Sequence, residues 1–312
     1  MNKIFEVKGL EKSYKNNKVI KNISFEVLKG EILCILGPNG AGKSTTINVL
    51  TGVLGYELGN LFYSGRKIKK NDKEFKGKLG VVPQDIALYE DISAEQNLRF
   101  FASLYGLKGK ALDEKTKEAL EFAGLSERAK DKVRTFSGGM KRRLNIACAI
   151  AHNPELLIMD EPTVGIDPQS RNHILDSVKK MRERGMTIIY TTHYMEEVEE
   201  ISTRIIVMDK GEIIASGTKE KLKENVVNFK KIIIEVDDTS KANLEKFYDV
   251  EGIKEATIKE KKIEIISLTG VENLDKIISI LINDSIKINN LTTEVPSLET
   301  VFLNLTGKTL RD

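Results

Sequence analysis

Hydrophobic and polar residues along this chain follow two rhythms. From Lys3 to about Val27 they alternate, in IFEVKGL and again in VIKNISFEVL, which predicts two strands joined by the polar loop KSYKNNK and hence an antiparallel edge. Ile32 to Leu36 is a short apolar run of the kind a buried strand needs, followed by a glycine-rich turn and a helix from Lys43 to about Leu54. Residues 94–123 read as mostly helical, with Leu98, Phe101, Leu104 and Tyr105 spaced to share a core-facing side. A helix from Ser137 to Ala151 leads into the apolar strand LLIMD, and one from about Pro168 to Arg184 leads into Ile188–Thr192. Alternating strands and helices predict a parallel sheet with helices packed on it.

After about Asn228 the texture changes. KKIIIEV, IKEATIKE, KKIEIISL and IKINNLTTEV alternate with two helical stretches, giving the order β, α, β, β, α, β of a small ferredoxin-like α+β unit that ends in the helical tail SLETVFLNLTG. The expected division is residues 1–225 and 226–312, with the change of texture at 222–229.

A length of 312 residues fits about two domains, and 40% hydrophobic with 30% charged residues excludes a disordered or low-complexity chain. The formal charge of +3 leaves no electrostatic footprint for nucleic acid. The basic run RKIKKNDKEFKGK is interleaved with Asp72 and Glu74 and reads as a solvated surface loop. Cys34 and Cys148 both lie in apolar or helical runs, as buried thiols in a reducing compartment. No apolar run approaches the ~20 residues of a membrane span, and MNKIFEVKG lacks the apolar stretch of a secretory leader. The expectation is a soluble cytoplasmic chain that acts at a membrane only through another protein.

Residues 37–45, GPNGAGKST, match the phosphate-loop pattern G-x-x-x-x-G-K-S/T between an apolar strand and a helix. Gly37, Pro38, Asn39, Gly40, Ala41 and Gly42 form a tight turn whose N–H groups can face an anion, continued by the positive end of the helix. Lys43 would reach the β- and γ-phosphates, Ser44 closes the pattern and would ligate Mg²⁺, and Thr45 next to it is a further candidate contact to the nucleotide. LLIMDEP places Asp160 and Glu161 at the end of a buried strand, Asp160 to hold Mg²⁺ and Glu161 to polarise the attacking water. FSGGMKRR puts Ser137, Gly138 and Gly139 at a helix start, a second site ready for phosphate; alone, a Ser-Gly-Gly is only a helix cap.

Over about residues 3–225 these motifs together resemble the ATP-binding subunit of ABC transporters, with FSGGM as the signature motif and Met140 in place of the usual glutamine. The resemblance implies a P-loop NTPase fold of ABC type, with a mixed sheet core, an antiparallel β edge and a helical subdomain at about 86–150. It implies roles for four further residues: Tyr14 stacking on adenine, Gln84 meeting Mg²⁺ and the attacking water, His193 as the switch histidine at the γ-phosphate, and Asp167 in the loop that reaches across a dimer. His152 and His173 match no motif. The C-terminal segment resembles the accessory domain of drug- and antibiotic-export ATPases of the daunorubicin-resistance type. By this resemblance the chain hydrolyses ATP with Mg²⁺ as a head-to-tail homodimer, or as a pair with a like subunit. It would sit on the inner face of the membrane through a separate permease, whose cytoplasmic helix would meet residues 86–107, with Tyr89, Phe100 and Phe101 as contacts. A soluble ATPase of the same core acting on DNA or ribosomes is the alternative; the absent heptad insertion, single cassette and near-neutral charge stand against it. Intact Lys43, Asp160, Glu161 and His193 stand against a module that binds nucleotide without hydrolysis.

Overall fold

The structure, a computed structural model, describes residues 2–226, 229–294 and 297–306; Asn228 and the Gly307 of the tail motif lie outside them. The chain divides into two compact units after Thr218, earlier than the sequence boundary.

The first unit opens with β1 (Lys3–Tyr14) and β2 (Asn17–Leu28), paired antiparallel with Tyr14 opposite Asn17. The expected polar loop therefore shrinks to a two-residue turn with Lys15 at φ 54°, and KSY belongs to the strand. Next come β3 (Ile32–Leu36), α1 (Lys43–Leu50), β4 (Leu58–Tyr63), β5 (Arg66–Lys67), α2 (Lys73–Gly77) and β6 (Leu79–Val82). The basic run is thus more than a solvated loop. Asp72 caps α2 by accepting from Phe75 N–H, and Phe75 is buried. Helix α1 stops at Leu50, short of Leu54.

The helical stretch is two helices, α3 (Ala94–Leu104) and α4 (Gly109–Phe122), because Gly106 takes φ 88° between them. The buried face of α3 is Ala94, Asn97, Leu98 and Ala102; Leu104 and Tyr105, expected in the core, are 65% and 40% exposed. Then follow α5 (Gly138–Ile150), β7 (Leu156–Asp160), α6 (Pro168–Glu183), β8 (Thr187–Thr192), α7 (Met195–Ile201), β9 (Arg204–Asp209) and β10 (Glu212–Gly217).

Two sheets result. One is antiparallel in the order β2-β1-β4-β5, and the other runs β10-β9-β3-β8-β7-β6, parallel except where β9 meets β10. All five residues of β3 and all five of β7 are buried, as strands covered on both faces must be. The carboxyl ends of β3, β7 and β8 consequently open along one edge, where α/β sheets bind ligands. A separate core under α3, α4 and α5, built on Leu98, Leu120, Val133 and Leu144, makes the helical subdomain.

The second unit contains α8 (Lys219–Val226), β11 (Phe229–Val236), α9 (Glu245–Tyr248), β12 (Ile253–Lys259), β13 (Lys262–Leu268), α10 (Leu274–Asn283), β14 (Ile288–Glu294) and α11 (Leu298–Thr306). Its antiparallel sheet runs β12-β13-β11-β14, the strand order of a ferredoxin-like fold. Alternate residues Ile232, Ile234, Ile263 and Ile265 pack with Phe247, Ile277 and Leu281. Helix α8 belongs here because it packs on α11.

Candidate active site

Residues Gly37–Gly42 leave the end of β3 and enter α1, so the loop inherits its position from a strand buried at every residue. Gly40 and Gly42 take φ 80° and 101°, which L side chains rarely adopt. Gly37 is required for another reason: a Cβ there would lie 2.4 Å from the Met208 carbonyl oxygen of β9.

Lys43 is buried, and its ammonium donates to the carbonyl oxygens of Gly37 (2.8 Å) and Pro38 (3.2 Å). It also lies 3.0 Å from Glu161 Oε1. The other oxygen of Glu161 is 3.2 Å from His193 Nδ1. One buried carboxylate therefore joins Lys43 of the glycine-rich loop to His193. Glu161 holds a left-handed backbone, φ 44°, an arrangement that costs a non-glycine residue about 1–3 kcal/mol and persists only where neighbours fix it. Thr191 does so. Its carbonyl and its hydroxyl accept from Glu161 N–H at 3.2 and 2.9 Å, and the same hydroxyl donates to Asp160 Oδ1 at 2.6 Å.

Burial pushes the Asp160 carboxyl above its ordinary value, against hydrogen bonds from Thr191 and Ser44. Ser44 and Asp160 thus present adjacent hard oxygens, which suit a Mg²⁺ ion completed by phosphates and water. An open cavity of about 180 Å³ is lined by Val19, Asn39 to Thr45, Gln84 and Glu161. Gln84, exposed after β6, reaches it because Arg142 of α5 clasps its backbone: the guanidinium donates to Pro83 O at 2.9 Å and Gln84 O at 2.6 Å. Arg142 is itself buried, which lowers its pKa from the ordinary value.

The phosphate loop, Gln84, Asp160, Glu161 and His193 thus form one cluster. Ser137, Gly138, Gly139 and Asp167 form a second. Ser137 caps α5, its hydroxyl accepting from Met140 N–H at 3.3 Å, and Asp167 caps α6, accepting from Ser170 N–H at 2.9 Å, which holds its carboxyl below the ordinary value. The two helix starts touch so closely that a Cβ on Gly139 would lie 2.1 Å from Ser170 Oγ. At Gly138 a Cβ would meet nothing within 4 Å. Tyr14 ends β1, 46% exposed, with Lys12 Nζ 5.5 Å from its ring centre; the cavity wall nearest the hairpin is Val19 instead. His152 stacks flat on Tyr105 with ring centres 3.5 Å apart.

Sequence reasoning missed Arg142, Thr191 and Glu197. Arg142 is one of three consecutive basic residues and Glu197 one of several acids in MEEVEE, so neither stands out by pattern; only the fold shows them buried.

Comparison with known proteins identifies what the chain is similar to. The family model described as ABC transporter matches residues 20–164. The linearmycin resistance ATP-binding protein LnrL of Bacillus subtilis is 45% identical over 99% of this chain and 100% of its own length. The Nod factor export ATP-binding protein I of Cupriavidus metallidurans is 41% identical, covering 71% of this chain and 73% of that protein. Among solved structures, an ATP-binding cassette captured as a dimer in a post-hydrolysis state with ADP and phosphate superposes with a TM-score of 0.63 at 26% identity, over 69% of this chain and 98% of that one. An ATP-binding subunit of an ABC transporter superposes with a TM-score of 0.65 at 29% identity, over 71% and 92%. The chain belongs to the ABC transporter family, as an ATP-binding and ATP-hydrolysing member.

Proposed function

We propose that this chain is the motor subunit of an exporter, working as a head-to-tail pair in which each ATP lies between one copy's phosphate loop and the other copy's Ser137, Gly138 and Gly139. The observation that carries it is the separation of the two clusters. Within one chain, Ser137–Gly139 do not line the cavity bounded by the phosphate loop and Glu161. Gly138 is bare and exposed with no packing reason to be glycine, which suits close approach by a second copy's nucleotide.

In such a pair the loop N–H groups and Lys43 would take the β- and γ-phosphates, and Tyr14 would stack on adenine. Mg²⁺, held through Ser44 and Asp160 with Gln84 beside it, would neutralise charge developing on the phosphoryl oxygens. Glu161 would orient a water for in-line attack on the γ-phosphorus. The new P–O bond replaces the bond to ADP, the water's proton passes toward the carboxylate, and His193 stays close to the transferring group. Phosphates arriving at Lys43 would compete with Glu161 for its ammonium and so free the carboxylate for water. Asp167 would face the partner copy.

Among the described residues no helix is long and apolar enough to cross a membrane, so the spans would come from a separate permease. Tyr89, Phe100 and Phe101 support a docking site for it. Their rings form one cluster with centroids 5.1 to 6.1 Å apart, and Tyr89 and Phe100 are 54% and 39% exposed. Export follows the Nod factor export relative and suits the linearmycin resistance one, and the ferredoxin-like unit is taken as an accessory domain. Glu161→Gln tests the assignment. ATP should still bind and the variant should elute as a stable dimer with ATP, with turnover reduced at least 100-fold. Normal turnover, or a monomer at saturating ATP, would refute it.

A further inference from the structure

Glu197 sits in the first turn of α7 with no exposed surface, and none of the roles above uses it. A buried carboxylate is costly unless hydrogen bonds and a counter-charge satisfy it. Here both are present. Oε1 accepts from Thr163 Oγ1 at 2.5 Å, and Oε2 accepts from Thr192 Oγ1 at 2.8 Å and Tyr190 OH at 3.0 Å. The Arg171 guanidinium of α6 lies 3.7 Å from Oε1 and 4.8 Å from the centre of the Tyr194 ring.

The partners are what matter. Thr163 lies two residues beyond Glu161, and Thr192 and Tyr194 flank His193. The Thr192 hydroxyl that donates to Glu197 also accepts from Tyr194 N–H at 2.9 Å, which closes a ring of bonds around the histidine's backbone. The 3.2 Å contact between Glu161 and His193 thus spans two loops pinned to the same carboxylate from below.

We propose that Glu197 is a positioning residue for hydrolysis, fixing the loop of Glu161 through Thr163 and the loop of His193 through Thr192 so that the two reach water and γ-phosphate in register. The proposal rests on the assignment of Glu161 and His193 as the hydrolytic pair. A misplacement of about 1 Å in such a pair can cost ~100-fold in rate. The phosphate loop is not among the contacts of Glu197, so ATP binding should be spared.

The test is single-turnover hydrolysis of radiolabelled ATP by the full chain. Glu197→Gln, which keeps volume but loses an acceptor and the charge, should lower the rate at least 10-fold while the KM for ATP stays within about twofold. In a Glu161→Gln, His193→Ala background the same change should lower the residual rate less than twofold, because both of its routes to catalysis are already broken. Thr192→Val, which cuts only the histidine arm, repeats the comparison if Glu197→Gln does not fold. An unchanged rate, or an equal fold-loss in both backgrounds, overturns the proposal. Glu161→Gln in parallel separates the two failures: if it turns over normally the hydrolytic assignment is wrong, and if it is inactive while Glu197→Gln is not, only the positioning role is.

Discussion

The contact between the starts of α5 and α6 makes a quantitative prediction about Gly139. A methyl group there would lie 2.7 Å from Ser170 Cβ, about 0.7 Å inside ordinary van der Waals contact at 3.4 Å, and nearer still to Ser170 Oγ. The hydroxyl can rotate away, but Cβ can move only with the helix. Overpacking of this kind costs about 1–3 kcal/mol, and each kcal/mol lowers Tm by roughly 2–4 °C in a unit of this size. Gly139→Ala should therefore melt about 2–12 °C below the parent in calorimetry. Ser170→Gly removes both clashing atoms. By itself it costs roughly 1 kcal/mol, through glycine in a helix and loss of the side-chain hydrogen bond to Asp167. The double variant should be no less stable than Ser170→Gly alone. If the two losses simply add, the helix starts do not touch as described and the reason given for glycine at 139 is wrong.

Other perturbations probe different links. Lys43→Ala should weaken ATP binding at least 10-fold in a fluorescent-nucleotide titration and also destabilise the protein, because the buried Glu161 loses its ammonium partner and keeps His193; adding Glu161→Gln should restore part of that stability. Unchanged affinity would contradict the phosphate-loop assignment. Arg142→Met releases the carbonyls of Pro83 and Gln84 and should lower kcat more than ATP affinity, at a stability cost of about 1–3 kcal/mol in urea unfolding. Burial lowers the pKa of His152 to about 4 from 6.5, so between those values the unfolded chain binds more protons and stability falls as pH drops. The loss reaches at most about 3 kcal/mol near pH 4, and His152→Phe, which keeps the stack on Tyr105, should flatten that limb when urea midpoints at pH 7 and 4.5 are compared.

What could be read from the chain follows from where its constraints are local. The phosphate loop was legible because its turn, its lysine and its serine are consecutive, and because β3 before it is apolar at every position. The second unit was legible for a similar reason: KKIIIEV and KKIEIISL carry apolar residues two positions apart, and their pairing buries Ile232, Ile234, Ile263 and Ile265 on one face. Leu104 misled because helical spacing says which residues share a side but not where the helix ends, and Gly106 ends α3 one turn before α4 can cover it. Arg142, Thr191 and Glu197 could not be found this way at all. Each acts on a segment distant in sequence, 58 residues to Gln84, 31 to Asp160 and 34 to Thr163, and each looks unremarkable beside its own neighbours. In this chain the groups proposed to touch phosphate or water lie in short motifs, whereas the groups that aim them are set by tertiary packing. A substitution among the latter would leave every motif intact while shifting the register of Gln84, Glu161 and His193, so motif content alone is a poor guide to whether a relative of this chain turns over ATP.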